Sequence, residues 1–276
     1  MHSTQRGLAE TLRSLHQDGV LVLPNAWDAA SAAVIARAGA QAIATTSGGV
    51  AWSAGRPDGH GLTREEMAVL VAKIVRVVDV PVTADIEGGY GPSAGDVAET
   101  VRAVVDAGAV GINLEDSTAP GGPLFDVGAQ VERVRAARDA ATGAGLPELW
   151  INVRTDVYLF GIGEPESRLD EVLSRAGAYA GAGADSLFVP GLIDLDVLRT
   201  LVEQSPLPVN VMVWPGAPSI ADLEAVGVRR VSVGTAIAQG AYAVAERATA
   251  ELLEKGTYGA LEGGLDFGTI NSAVTR

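Results

Sequence analysis

Eight short β-rich runs recur along the chain, each followed by a stretch with helical spacing, and this alternation constrains the fold more than any other feature. The runs are VLVLP (20–24), AIATT (42–46), VPVTAD (80–85), VGINLED (110–116), LWINVRT (149–155), SLFVP (186–190), PVNVMV (208–213) and RRVSVG (229–234). Most are apolar nearly throughout, the pattern of parallel strands covered on both faces. The intervening stretches, such as DAASAAVIARAGA and LDEVLSRAGAYAGAGA, space their apolar residues as helices do and end in glycine-containing stop signals. Eight such units predict an α/β protein, a single (β/α)8 TIM-type barrel domain over residues 1–276. A doubly wound sheet would carry a glycine-rich dinucleotide loop after its first strand, where LPNAWD stands instead. From Thr235 on, the chain supplies the eighth helix and a further helical segment. Its surplus apolar surface suits either a neighbouring subunit or the barrel's own end.

Charge and composition remove several functions. The net charge of −14, with no basic cluster, argues against nucleic acid or an anionic membrane as partner. No run approaches the roughly 18 apolar residues that span a bilayer, and the first residues lack the apolar centre of a secretory signal. A cytoplasmic setting is therefore expected. The absence of cysteine excludes disulfides, thiolate metal sites and cysteine nucleophiles together. The two lysines, Lys73 and Lys255, both sit in helical patterns, so a Schiff-base lysine at a strand end is not expected.

In a barrel of this type the chemistry gathers where strands end. The stretch VPVTADIEGGYG (80–91) ends an apolar run in Asp85 and Glu87. At i and i+2 of an extended chain these carboxylates face one side, an arrangement that calls for a cation or ordered water between them. Glu115 and Asp116 end the next strand and could converge on the same place. Oxygen ligands suit Mg²⁺, with Mn²⁺ as an alternative. Metal binding is the reading for Asp85 and Glu115, helix capping for Asp116. After the second strand come Thr45, Thr46, Ser47, Gly48 and Gly49, a small-residue turn whose N–H groups could receive a carboxylate or oxyanion. Arg154 follows the fifth strand, where its planar fork would match a carboxylate or phosphate; an internal pair with Asp156 or Glu115 is the competing assignment. The two long connections, GGVAWSAGRPDGHGLT and STAPGGPLFDVG, are candidate covers for the mouth, and the first carries Asp58 and His60.

Taken in order, SGG, Asp58, ADIEGGYG, INLEDS and INVRTD resemble the isocitrate lyase/phosphoenolpyruvate mutase superfamily over essentially the whole chain. The resemblance implies a modified barrel, Mg²⁺ dependence, a small carboxylate substrate and homo-oligomers, dimers or tetramers, that exchange a C-terminal helix. It implies that Asp85 holds the metal directly while Asp58, Glu87 and Glu115 act mainly through water. It also implies that Ser47, Gly48 and Gly49 receive a carboxylate, and that Arg154 contacts substrate and stabilises developing charge.

The chain also departs from the pattern. The lyases carry a KKCGH-like lid whose cysteine is the proton donor; here the loop reads STAPGGPLFD. The phosphonate enzymes place a lysine and an asparagine in that loop, a histidine where Pro190 stands, and a tryptophan where Thr45 stands. The expectation is a Mg²⁺-dependent carbon–carbon lyase or decarboxylase acting through an enolate, with Asp58, Glu115 and Arg154 as catalytic residues. Tyr90, Tyr158, His60 or water would then deliver the proton. A phosphorylmutase or hydrolase of phosphonate type is the second reading, and a non-catalytic carboxylate-binding barrel the third.

Overall fold

The computed structural model describes residues 2–59 and 61–275; His60 lies outside the described residues. The expected strands are present, with the first divided at Pro24 into β1 (Leu21–Leu23) and β2 (Asn25–Ala26). They are followed by β3 (Ile43–Thr45), β4 (Val82–Asp85), β5 (Gly111–Glu115), β6 (Trp150–Arg154), β7 (Ser186–Phe188), β8 (Val209–Met212) and β9 (Arg230–Ser232). The nine pieces pair in the order β1-β9-β8-β7-β6-β5-β4-β3-β2, and every pairing is parallel. Because β1 and β2 are consecutive pieces of one strand, the sheet all but closes into a barrel. Pro24 has no N–H to give to a ladder, while its carbonyl still accepts from the Ala44 N–H at 3.2 Å.

The helices form where the spacing placed them, and their ends are set by side-chain caps. Thr63 with Glu66 starts α4 (Arg64–Arg76), and Ser93 with Asp96 starts α5 (Ala94–Asp106), each as a reciprocal capping box. Asp28, just after the first strand, is likewise the N-cap of α2 (Ala29–Arg37). Val97, Val101 and Val104 of α5 stand at i, i+4 and i+7 and are fully buried, as are Val134, Ala137 and Ala141 of α6 (Val127–Gly143). Burying each valine contributes about 1.5–3 kcal/mol.

The N-terminal end of the barrel is plugged by α1 (His2–Leu15). Leu12 is fully buried, close to Gly111 at the start of β5, where a Cβ would meet its Cδ2 at 3.0 Å. Just beyond α1, His16 stacks on Trp150 at the start of β6, with ring centroids 3.7 Å apart. Arg13 donates to the Glu148 carbonyl at 3.0 Å and to Asp185 at 2.8 Å, which ties the plug to the loops before β6 and β7. The interior cavity therefore opens at the other end, where the strands finish.

Inside, the barrel is more polar than near-continuous apolar strands imply. Asn152 donates to Asn113 at 2.5 Å and to Asn210 at 3.0 Å, and accepts from Ser186 at 2.5 Å. At the C-terminus, α10 (Ala236–Lys255) ends at the left-handed Gly256, and α11 (Phe267–Val274) returns to pack on α2 of its own barrel. Leu253 and Phe267 of this arm are 82% and 81% exposed. Among the described residues, no helix is long and apolar enough to cross a membrane.

Candidate active site

The ends of β4, β5 and β6 bring the candidate residues together. Glu115 and Arg154 are direct cross-strand partners in the β5–β6 register. That register places Arg154 Nη1 at 2.9 Å from Glu115 Oε2, while Arg154 Nε donates to Asp156 Oδ1 at 2.6 Å. The internal pairing weighed for Arg154 is thus present with both partners at once. The guanidinium nevertheless still lines the cavity at the barrel mouth. Ser117 stands between the two acids, its hydroxyl at 2.7 Å from Asp156 Oδ2 and 3.1 Å from Glu115 Oε1. Burial pushes the Glu115 carboxyl up to about 8 against the opposing pull of Arg154. Burial also raises Asp85, again opposed by Arg154. Three carboxyl groups around one guanidinium, in a region of low dielectric, leave an excess of negative charge.

Asp85 is held by backbone donors. Its Oδ2 accepts from the Ser47 N–H and its Oδ1 from the Glu87 N–H, both at 3.2 Å, and its own N–H donates to Thr45 Oγ1 at 2.8 Å. Ser47, Gly48 and Gly49 are not a turn: they open α3 (Ser47–Ser53), a short helix that begins as β3 ends. Close packing requires small residues there. A Cβ on Gly48 would lie 2.9 Å from Thr235 Cγ2 and 3.1 Å from Asp58 Oδ2; on Gly49 it would lie 2.8 Å from Thr46 Cγ2 and from Trp27 Cβ. Asp58 is thereby fixed at the mouth, as a member of the cavity wall.

Glu87 departs from the spacing argument. The strand ends at Asp85, and Glu87 adopts φ +49°, so the two acids are not alternate residues of one extended chain. Glu87 is buried, accepts the Tyr90 hydroxyl at 3.1 Å, and does not line the cavity that Asp85 lines. Tyr90, also left-handed at φ +56°, has its phenol raised by burial and by Glu87. It is therefore a poor proton donor. Tyr158 does not line the cavity either. Two non-glycine residues in this region of backbone space mark a strained turn held by its surroundings. The holder is Arg133 of α6, which donates to the carbonyls of Gly88, Gly91 and Pro92 and lies 4.1 Å from the Phe125 ring centroid.

Asp116 does not cap a helix. It is fully buried, accepts from the Asp156 N–H at 3.1 Å and from Tyr179 Oη at 2.9 Å, and pairs with Arg175 at 3.1 Å. Arg175 and Tyr179 lie on α7 (Arg168–Gly181), so this cluster fastens a helix to the loop that carries Asp156. Sequence reasoning missed Arg133, Arg175 and Tyr179. Their only local signal is a basic or phenolic residue on the apolar side of a helix.

The cavity has a volume of about 170 Å³, below the roughly 300 Å³ at which pockets for drug-sized ligands begin. It brings together Thr45, Ser47, Asp58, Asp85 and Arg154 from the expected set. Glu115 stands behind Arg154, and Gly48 and Gly49 follow Ser47 in α3. The two long connections meet above, where Gly59 touches Pro120. The donor set suits a hard divalent cation, because Asp85 presents carboxylate oxygens backed by surplus negative charge. Among the described residues no three acids are gathered closely enough to chelate an ion alone. Asp85 is thus the acid at a strand end that could hold such an ion, with Asp58 in the same wall.

Comparison with known proteins shows the family and the fold. The family model described as phosphoenolpyruvate phosphomutase matches residues 12–253. An uncharacterised protein of Mycobacterium tuberculosis H37Rv is 39% identical over 87% of this chain and 88% of its own length. The 2-methylisocitrate lyase of Escherichia coli K12 is 32% identical over 74% of this chain and 70% of its own. A lyase/mutase-type structure from Burkholderia cenocepacia J2315 superposes with a TM-score of 0.90 at 39% identity, covering 98% of this chain and 96% of that one.

The Glu115 environment yields a pH dependence for metal-free protein. Folding raises this carboxyl from 4.5 to about 8, so its stabilising contribution is complete below pH ~4.5 and lost as pH rises through about 8. With chelator present, the stability of the parent relative to Glu115→Gln should therefore fall between pH 4.5 and pH 8.5. Urea midpoints measure it, and a constant difference would mean that Glu115 is ionised throughout.

Proposed function

The chain belongs to the phosphoenolpyruvate phosphomutase family, within the isocitrate lyase/phosphoenolpyruvate mutase superfamily, and from that premise we propose a Mg²⁺-dependent lyase. Its reaction would be cleavage of a carbon–carbon bond, or decarboxylation, in a small oxo- or hydroxy-carboxylate. The observation that carries this reading is the Arg154 guanidinium, which lines a small cavity beside Asp85 while two buried acids anchor it from behind. Such an arginine is oriented before substrate arrives, the condition under which a charged donor stabilises developing negative charge most effectively. The family contains lyases and phosphomutases alike. The lyase reading is supported by the cavity wall, whose cationic side chains among the described residues are Arg154 and Arg230, fewer than would suit a phosphoryl group in transit.

Bound at Asp85, with Asp58 and Glu115 contributing through water, Mg²⁺ would polarise the oxo or hydroxyl group of the substrate; Glu87, turned to Tyr90 and away from the cavity, would act on the ion only through its charge. Thr45 and Ser47 would orient the adjoining carboxylate, and Gly48 and Gly49 keep α3 close enough for this. Arg154 would receive the charge that develops on oxygen as the bond breaks. Proton delivery falls to water or to a hydroxyl of the cavity wall. The exposed apolar C-terminal arm supports a homo-oligomer built through that arm. Light scattering should give the mass of two or four chains, and a monomer would refute it.

A panel of oxo- and hydroxy-acids, assayed with and without Mg²⁺, tests the reaction class. Release of pyruvate or glyoxylate that stops on chelation is expected; phosphate or a rearranged phosphonate would establish the phosphomutase instead. Asp85→Ala should fold normally yet lose Mg²⁺-dependent ligand binding, and turnover by this variant in chelator would sink the metal assignment. Arg154→Lys keeps charge without the planar fork and should lower kcat/KM about 10²-fold. An unchanged value would remove Arg154 from its role.

A further inference from the structure

The same cavity holds a buried guanidinium without a hydrogen-bond partner among the described residues. Arg230 opens β9, is 2% exposed, and lines the cavity, yet neither its Nε nor its Nη1 has a partner. Its guanidinium makes no hydrogen bond or ion pair with any described residue. The contrast with the other buried arginines is complete. Arg133 is held by carbonyls, Arg154 through Nη1 and Nε by Glu115 and Asp156, and Arg175 by Asp116, Glu171 and the Phe125 carbonyl. An unpaired buried guanidinium is among the most unfavourable arrangements a core can hold. Burial lowers the Arg230 pKa to about 9, and only the charge of Asp85 opposes that shift. A cation at Asp85 would cancel this support.

The wall of this cavity carries further donors. Asn113 accepts from Asn152 through Oδ1, which leaves its NH₂ group for the cavity that it lines. The Thr83 hydroxyl, in the same wall, has no partner. Among the described residues the carboxylates of the wall are Asp58 and Asp85: one is in a covering loop, the other is the last residue of β4. The cavity wall therefore carries Asp85 at the end of β4 and an unpaired cation at the start of β9.

We propose that Arg230, together with the Asn113 amide, forms a specificity-determining subsite for the distal carboxylate of a dicarboxylate substrate whose oxo- or hydroxy-acid end faces Asp85 and Arg154. This rests on the carboxylate-binding reading above and adds to it the number and placement of the substrate's charges. A planar guanidinium presents parallel N–H groups to a carboxylate, and a site with unpaired donors discriminates strongly against an analogue that cannot fill them.

Malate and lactate share a 2-hydroxy-acid end and differ in the distal carboxylate, so calorimetric titration of each into Mg²⁺-loaded protein tests the subsite. The parent should bind malate at least about tenfold more tightly than lactate. Arg230→Met should bring the two within about twofold while leaving lactate affinity unchanged, and should raise the thermal midpoint of ligand-free protein by removing the unpaired charge. Arg230→Gln, which keeps polarity without charge, provides the same comparison if the methionine variant does not fold. A malate preference that survives in both variants, or is missing from the parent, overturns the proposal. So does a chloride-dependent rise in melting temperature that requires Arg230 while the malate preference does not, because the occupant is then a free inorganic anion. The readout is equilibrium binding, so a failed turnover assay counts against the lyase alone, and a lost malate preference counts against the subsite alone.

Discussion

The pairing of Arg154 with Glu115 and Asp156 organises the open end of the barrel. It follows from the β5–β6 register, which sets residue 115 opposite residue 154, and it is closed by the Ser117 hydroxyl between the two acids. A single guanidinium cannot neutralise both acids and Asp85 as well, so the cluster carries a standing demand for positive charge. That demand makes a divalent ion at Asp85 physically reasonable. The same guanidinium remains available to the cavity because its anchors hold it from behind.

Two supporting layers keep this arrangement in place. Asp116, Arg175 and Tyr179 tie α7 to the backbone of Asp156, and Arg133 gathers the carbonyls of the strained turn after β4. Neither layer lines the substrate cavity. Each converts a loop that would otherwise be mobile into a fixed part of the wall, which is where precision at a site usually originates. At the opposite end, the plug formed by α1 and the His16–Trp150 stack seals the barrel, so that Arg230 is buried and reachable only from the mouth.

Much of this was legible before the structure. The recurrence of apolar runs and helical spacers announced the barrel, and the acids and arginine at strand ends pointed to a candidate site, because side chains that finish parallel strands must share one rim. Asp85, Thr45, Ser47, Asp58 and Arg154 do share it. Glu87 was misplaced because alternation assumes an extended chain, and the backbone leaves that conformation immediately after Asp85. Asp116 was misjudged because an acid beside a loop and a helix resembles a cap until its partners, 59 and 63 residues away in α7, are known.

The sequence by itself determined the fold class, the family, and which strand ends carry acids and arginine, since periodicity and motif order are local properties of the chain. Tertiary structure decided which of those groups meet. Whether Arg154 faces an anion or an acid, whether Glu87 joins Asp85, and whether Arg230 finds a partner all depend on register and backbone direction set by distant segments. Arg230 shows the difference most clearly. In the sequence it is one of two arginines opening a strand; inside the closed barrel it is a charge without a counterpart.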